Sequence, residues 1–280
     1  MPRFPHSHSP SPEDVAAHYA SGCESDRLRI GPGQLDGMRT RELLERFLPP
    51  TPARIFDIGG GPGGHGCWLA RIGYEVHLVD LVPLHVEQAK AASARQPETP
   101  LARTEVEDAC ALSASDGTAD AVLLFGPLYH LTDRRDRLRA LTEAHRVLRR
   151  GGVILAVGIS RFASALDGVR AGFLKDPAFA EIVDGDLKDG HHLNPTNNPE
   201  YFMDTFFHHP NELKEELAEA GFSVEGVHGV EGPSWLVPDF DDWWQDLDLR
   251  NRMLQIARTL ETEPALLGVS AHLVAVGSKD

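Results

Sequence analysis

The stretch IFDIGGGPGGHGCWLARIGYEVHLVD, residues 55–80, contains seven glycines and ends on an aspartate. Its first four residues, 55–58, read as a short buried strand. Glycine has no Cβ, so the chain that follows can turn sharply and approach a ligand closely. The sequence therefore predicts a strand that leads into a ligand-binding loop.

Two kinds of site fit these glycines. Gly59, Gly61 and Gly64 satisfy the G-x-G-x-x-G pattern of dinucleotide-binding loops, and Asp80 follows a second predicted strand, residues 74–79. Asp57, however, places a carboxylate at the tip of the first strand, where a dinucleotide would bring its phosphates. The carboxylate favours a ligand that carries an amino group.

The pattern Asp57-x-Gly59-x-Gly61-x-Gly63 resembles the first motif of the class I S-adenosylmethionine-dependent methyltransferases. The resemblance implies that the three glycines line the methionyl part of the cofactor and that Asp57 lies near its amino group. It also implies that Asp80 accepts hydrogen bonds from both ribose hydroxyls, since a carboxylate has two oxygens. A nicotinamide-dependent oxidoreductase, or a relative that keeps the pocket without methylating, are the alternatives.

Strand and helix patterns alternate from residue 54 onward, which predicts an α/β fold with a doubly wound, mainly parallel sheet. A late helix, a Gly-Phe turn and two final strands resemble the antiparallel end of the seven-stranded, Rossmann-like methyltransferase sheet. We expect residues 1–12 to form a flexible arm and residues 13–280 a single domain. Within it, residues 13–50 would form a helical cover and residues 160–209 a lid that recognises the substrate.

The composition indicates which kinds of binding partner to expect. The chain has 280 residues and a net charge of −15, a balance that repels phosphate backbones, so we expect no nucleic acid partner. Three scattered cysteines indicate neither a disulfide framework nor a cysteine zinc site, and we expect no bound metal. Because no apolar run is long enough to span a membrane, we expect a cytoplasmic protein.

Other segments resemble further cofactor contacts of the family. In the loop after the third strand, Asp108 is the candidate for the adenine amino group and Ala109 for a ring nitrogen. Phe125, at the end of the fourth strand, is expected to border the cofactor because ligands of doubly wound sheets lie beyond the carboxyl ends of the strands.

The predicted cover supplies two candidates for the methionyl carboxylate, Tyr19 and Arg39. A guanidinium can bind a carboxylate through two parallel hydrogen bonds, which favours the arginine. An ion pair between Arg39 and Glu42 or Glu45 explains the same residue equally well.

The run Gly126-Pro127-Leu128-Tyr129-His130-Leu131 resembles small-molecule methyltransferases. We therefore expect methyl transfer from S-adenosylmethionine to an oxygen or nitrogen of a small molecule. The candidates for a general base are His130 first and His208 second. The candidates for substrate contacts are aromatic or imidazole side chains, namely Tyr129, Tyr201, Phe202 and His209.

Overall fold

The computed structural model describes residues 11–19, 23–196 and 198–280, so most of the predicted arm lies outside the described residues. The strands are β1 (Arg54–Ile58), β2 (Glu75–Asp80), β3 (Arg103–Val106), β4 (Ala119–Leu124), β5 (Leu148–Ser160), β6 (His191–His192), β7 (Thr205–His208), β8 (Ser223–Gly229) and β9 (His272–Ser278). The helices are α1 (Pro12–Tyr19), α2 (Gly33–Phe47), α3 (Gly64–Arg71), α4 (Pro83–Ala94), α5 (Pro127–His130), α6 (Arg134–Val147), α7 (Ala163–Ala171), α8 (Pro177–Asp189), α9 (Pro210–Glu219), α10 (Phe240–Gln245) and α11 (Leu247–Leu260).

Seven strands form the main sheet in the order β3-β2-β1-β4-β5-β9-β8. The first five strands run parallel to one another, and β9 runs antiparallel to both β5 and β8. This arrangement confirms the predicted fold class. The carboxyl ends of the five parallel strands share one edge of the sheet, and β9 begins at that same edge, beside the end of β5.

Both faces of the sheet are buried, as expected for parallel strands that helices cover on two sides. Successive residues of β1 enter different cores: Ile55 packs with Leu43 of α2 and Leu69 of α3, whereas Phe56 packs with Leu141 of α6. Successive side chains of the strand thus point to opposite faces of the sheet, and the helices form one layer on each face.

Residues 160–209 fold into α7, α8 and the two short strands β6 and β7, which sequence patterns did not predict. β7 pairs with the carboxyl end of β5, through Ile159 opposite Phe207, and extends the sheet there. Helices α10 and α11 were likewise not predicted. Within the described part of the chain, no helix is both long and apolar enough to cross a membrane.

A buried ion pair joins α6 to α9. Arg137 and Glu216 each have only 2% of the side chain exposed, and Nη2 of Arg137 lies 2.8 Å from Oε1 of Glu216. The guanidinium also donates to the carbonyls of Leu131 and Thr132 and lies 3.6 Å from the ring centroid of Phe206. The arginine therefore ties the layer of helices to the loop that follows α5.

Replacing Arg137 with methionine should lower the free energy of unfolding by about 3 kcal/mol or more, because it leaves Glu216 buried without its main partner. Urea denaturation measures this change. Arg139→Met on the same helix is the matched control: Arg139 is 64% exposed, so its loss should cost less than about 1 kcal/mol. Equal effects of the two substitutions would contradict a special role for the buried pair.

Candidate active site

A cavity of about 300 Å³ lies beyond the carboxyl ends of the parallel strands. Its floor consists of residues that follow β1, β2, β3 and β4, and its roof comes from α1, α2 and the 3₁₀ turn Cys23–Arg29 between them. The cavity lies where ligands of doubly wound sheets bind. The lining includes eight of the ten predicted cofactor residues, Tyr19, Asp57, Gly59, Gly61, Asp80, Asp108, Ala109 and Phe125.

The glycines after β1 differ in what they provide. Gly59 has φ +76°, and a Cβ there would lie 2.5 Å from Cδ of Pro127, so no larger residue fits. Gly61 has φ +54°, and a Cβ there would meet nothing closer than 3.9 Å, so its backbone faces open space in the cavity. Gly63 caps α3 with φ +85° and does not line the cavity. The loop thus forms a bare cradle that ends in a helix N-terminus.

Asp57 is 1% exposed, and its Oδ2 atom is buried without a hydrogen-bond partner among the described residues. Burial and the neighbouring Asp80 raise the pKa of Asp57 to about 7, against the opposing effect of the backbone N–H of Gly66, which approaches the carboxyl group. An unpaired buried carboxylate oxygen costs about 1–3 kcal/mol. A cationic group in the cradle would remove that cost, which is the charge that the sequence predicted for the ligand.

Asp80 already holds the floor together. Its Oδ2 accepts from the backbone N of Gly61 at 2.8 Å, and its Oδ1 accepts from the backbone N of Val82 at 2.9 Å and contacts Nδ1 of His85 at 3.2 Å. Because each carboxylate oxygen accepts about two hydrogen bonds, Oδ2 has the remaining capacity for a ligand hydroxyl. Asp80 is thus suited to bind one ribose hydroxyl strongly, and it also fixes the position of the glycine loop.

The adenine candidates lie on the same floor. Asp108 accepts through Oδ1 from the backbone N of Cys110 at 2.8 Å, which orders the loop after β3. Ala109 and Phe125 line the cavity on either side of the glycine loop. The sheet order β3-β2-β1-β4 therefore arranges these residues in a row.

Tyr129 and His130 of α5 also line the cavity. Nε2 of His130 lies 3.0 Å from the hydroxyl of Tyr19, so the roof helix α1 and the floor are hydrogen-bonded to each other. Nδ1 of His130 is buried without a partner in the described structure, and burial lowers the pKa of His130 to about 3. The imidazole is therefore neutral at physiological pH and weakly basic.

The structure does not bring Arg39 to the cavity. Arg39 is fully buried and binds Glu42, Glu261 and the carbonyl of Val230. This is the ion-pair alternative that the sequence left open. Arg41, two positions further along α2, lines the cavity instead and has its guanidinium 5.4 Å from the ring centroid of Trp68.

The site residues predicted within the lid also lie outside the cavity lining. His208 is fully buried, with Nε2 3.3 Å from Oε2 of Glu216. Tyr201 packs against Phe179, and Phe202 adopts φ +65° beyond it.

His209 is the N-cap of α9. Its Nδ1 accepts from the backbone N of Asn211 at 3.2 Å, while Glu212 accepts from the backbone N of His209 at 3.0 Å. The imidazole thus satisfies the helix end in a capping box. We therefore do not place His208, Tyr201, Phe202 or His209 at the site in this arrangement.

A charged group at the β5 end of the cavity was not predicted. It consists of Asp36 and His272, which line the cavity, with Glu231 behind them and Arg27 on the roof. Nη1 of Arg27 lies 2.6 Å from Oδ2 of Asp36. The two carboxylates and the imidazole lie close enough to ligate a metal ion, but the guanidinium of Arg27 already offsets part of the carboxylates' charge. Arg27 and Asp36 lie near the start of the chain and Glu231 and His272 near its end, which is why no local motif revealed the group.

Residues 56–156 match a family described as a methyltransferase domain. A ubiquinone biosynthesis O-methyltransferase of Xanthomonas axonopodis pv. citri (strain 306) is 30% identical over 195 residues, which are 69% of this chain and 72% of that protein. A similar enzyme of Xanthomonas euvesicatoria pv. vesicatoria (strain 85-10) is 28% identical over 217 residues, or 77% of this chain and 79% of that protein.

Solved structures agree on the fold. An S-adenosylmethionine-dependent methyltransferase of Methanosarcina mazei has a TM-score of 0.57 at 20% identity, covering 85% of this chain and 96% of that one. The [4+2]-cyclase SpnF has a TM-score of 0.64 at 17% identity, covering 97% and 98%. At these identities the likeness shows the fold alone.

The chain belongs to the class I S-adenosylmethionine-dependent methyltransferases. It is an enzyme of that class, and S-adenosylmethionine is its cofactor, which sets aside the nicotinamide alternative. The residues present fit this cofactor. The glycine backbone faces the cavity without side chains, and the unpartnered Oδ2 of Asp57 can pair with the positively charged amino group of the cofactor.

Replacing Arg39 with methionine should lower the free energy of unfolding by about 2 kcal/mol while leaving affinity for S-adenosylhomocysteine within about threefold of wild type. The reason is that Arg39 is itself fully buried and joins Glu261 and the half-buried Glu42 outside the cavity. Arg258→Met is the control, since Arg258 reaches Glu42 from the exposed side and its loss should cost less than about 1 kcal/mol. If Arg39→Met bound S-adenosylhomocysteine tenfold or more weakly with an unchanged free energy of unfolding, Arg39 would instead contact the cofactor.

Proposed function

We propose that the enzyme transfers the methyl group of S-adenosylmethionine to an oxygen or nitrogen of a small molecule, such as a specialised metabolite. The observation that carries the proposal is the row of carboxylates Asp108, Asp80 and Asp57 along one cavity, each at or just beyond the carboxyl end of a neighbouring parallel strand. The relatives named as O-methyltransferases favour oxygen as the acceptor atom.

In the arrangement we propose, the cofactor lies along the row. Asp108 and the backbone of Ala109 receive the adenine, and Asp80 receives the ribose. The methionyl part lies over Gly59 and Gly61. Its amino group then approaches the unpartnered oxygen of Asp57, where opposite charges attract most strongly because both are withdrawn from water.

The methionyl carboxylate needs a cationic or hydroxyl partner on the roof. Tyr19 lies in the lining, but its hydroxyl is already bonded to His130. Arg41 lies in the lining and makes no ion pair with a described residue, so we assign the carboxylate to it in place of Arg39. Phe125 packs beside the cradle, on the side toward β5.

A small acceptor is supported by the size of the cavity and by the charge of the chain. The cavity is of the size that holds a metabolite rather than a polymer, and a chain of net charge −15 opposes nucleic acid. We propose that residues 13–50 act as the cover of a single domain spanning residues 13–280. Residues 160–209 would act as the lid when an acceptor is bound.

Methyl transfer from a sulfonium is an in-line displacement, so the protein acts mainly by alignment and by excluding water. Tyr129 and Phe125 line the cavity and supply apolar walls. The hydrogen bond between Tyr19 and His130 would hold the roof over the reacting atoms. Catalysis of this kind needs a base only when the acceptor atom carries a proton that must leave.

A methyl-labelled cofactor tests the proposal directly. The protein is incubated with labelled S-adenosylmethionine and a panel of phenols, catechols, carboxylic acids and amines, and the extracted products are counted. We expect label in one chemical class of acceptor. Tight binding of S-adenosylhomocysteine, with no transfer to any member of the panel or to DNA, RNA or protein, would contradict methyl transfer to a small molecule.

Cofactor binding should release a proton from Asp57 near pH 6.5. The pKa of Asp57 is about 7, so the group is largely protonated there, and a cationic amino group beside it favours the carboxylate and lowers that pKa. Calorimetric titration with S-adenosylhomocysteine in two buffers of different ionisation enthalpy should show release of about 0.5–0.8 proton per site. Asp57→Asn should abolish it.

Asp116→Asn, at an aspartate with 79% of its side chain exposed, is the matched control and should release the same fraction as wild type. Undiminished proton release in the Asp57 variant would place the amino group elsewhere.

His130 was the first candidate for a general base, but a pKa of about 3 makes it a poor one near neutral pH. We propose that it holds the roof through Tyr19. His130→Gln can keep that hydrogen bond, so turnover should fall by less than about tenfold, and the pH profile should keep its shape. A loss of about 10²–10⁴ in turnover with unchanged affinity for S-adenosylhomocysteine would restore His130 as the base.

A further inference from the structure

The β5 end of the cavity contains a second imidazole, and this one is oriented by a carboxylate. His272 is the first residue of β9 and pairs with Ile159 near the carboxyl end of β5. In the sheet order it lies on the far side of β4 from Asp80 and Asp108, which we assign to the nucleoside. Val157 and Val230 line the cavity beside it. This end of the cavity is therefore free to hold an acceptor.

Glu231 fixes the ring of His272. Its Oε1 lies 2.5 Å from Nδ1 of His272, and its Oε2 accepts from the backbone N of the same residue at 3.0 Å. Glu231 is 2% exposed and lies behind His272, outside the cavity lining. A carboxylate can only accept, so Nδ1 carries the proton in the neutral ring, and Nε2 is left as the basic nitrogen.

We propose that His272 is the general base that takes the proton of an acceptor hydroxyl, with Glu231 as its positioning residue. The proposal rests on the proposed function, methyl transfer to a small molecule. It requires the orientation that acid-base histidines commonly have, in which one nitrogen faces the substrate and the other is held by a buried carboxylate.

The charges around His272 favour this role over His130. Burial alone would lower the pKa of His272, but Glu231 and Asp36 outweigh it and raise the pKa above its ordinary value, against the opposing charge of Arg27. His65 on α3 also approaches Asp36, but burial lowers its pKa to about 4, so it adds no charge near pH 7. A base with a pKa near the working pH is the efficient kind.

The step balances without another reactant. A lone pair of the acceptor oxygen forms the bond to the methyl carbon while the carbon–sulfur electron pair remains on sulfur, which becomes a neutral thioether. The proton of the hydroxyl moves to Nε2 of His272, and the imidazolium is stabilised by Glu231. The ring then loses that proton to solvent when the products leave.

Histidine NMR tests the dyad without any acceptor. In the protein loaded with S-adenosylhomocysteine, the ring signal lost in His272→Gln should titrate with a midpoint above the ordinary value of 6.5. Glu231→Gln should lower that midpoint by about one unit or more, because it removes the charge that favours the imidazolium. A midpoint at or below 6.5, or one unmoved by Glu231→Gln, would overturn the proposal whether or not an acceptor is known.

Kinetics with the best hydroxyl acceptor of the labelled panel tests the role itself. Wild-type kcat should rise with pH through the midpoint of His272, and His272→Gln should lose that rise and about 10²–10⁴ in kcat while keeping affinity for S-adenosylhomocysteine. Glu231→Gln should lower kcat more than it changes KM and move the rise to lower pH. His228→Gln, at a buried imidazole of β8 outside the cavity, should match wild type.

A His272→Gln variant within about threefold of wild-type kcat, with the pH-dependent rise intact, would overturn the proposal. If S-adenosylhomocysteine binds tightly but neither the panel nor DNA, RNA or protein is methylated, the proposed function fails, and the NMR midpoints still decide whether the dyad exists.

Discussion

The close approach of two loops at Gly59 and Pro127 is the constraint on which the site depends. A Cβ at Gly59 would lie 2.5 Å from Cδ of Pro127 and 2.7 Å from the carbonyl of Phe125, so the loops after β1 and β4 meet only because glycine stands there. The backbone N of Gly59 also donates to Val79 at 2.8 Å, which ties the same loop to β2. Three neighbouring strand ends are thereby held as one rigid floor, against which α1 and α2 form the roof.

The order of the strands in the sheet determines which part of the cavity each strand end forms. Residues after β3 and β2 form the nucleoside end of the proposed cofactor site, and those after β1 form its charged middle. The end of β5 and the start of β9 supply the far wall, where Glu231 and His272 lie. Because antiparallel β9 starts at the edge where the parallel strands finish, a residue near the end of the chain reaches a cavity built mostly from its first half.

Local sequence predicted the fold and the floor because both depend on short patterns. Strand and helix periodicity indicated the seven-stranded sheet, and the spacing of Asp57, Asp80 and Asp108 follows consecutive strand ends. The same reasoning could not separate Arg39 from Arg41, which lie on one helix and differ only in which face packs inward. Similarly, the sequence predicted a substrate contact for His209, whereas its ring accepts from the backbone N of Asn211 and caps α9. The dyad of His272 joins segments whose contact only the folded sheet reveals.

A crystal structure of the protein with S-adenosylhomocysteine would show whether the cofactor lies along the row from Asp108 to Asp57. We expect a ribose hydroxyl within hydrogen-bond distance of Oδ2 of Asp80 and the amino group beside Oδ2 of Asp57, with the sulfur facing the β5 end of the cavity. A nucleoside bound at that end, against His272, or density outside this cavity, would contradict this binding mode.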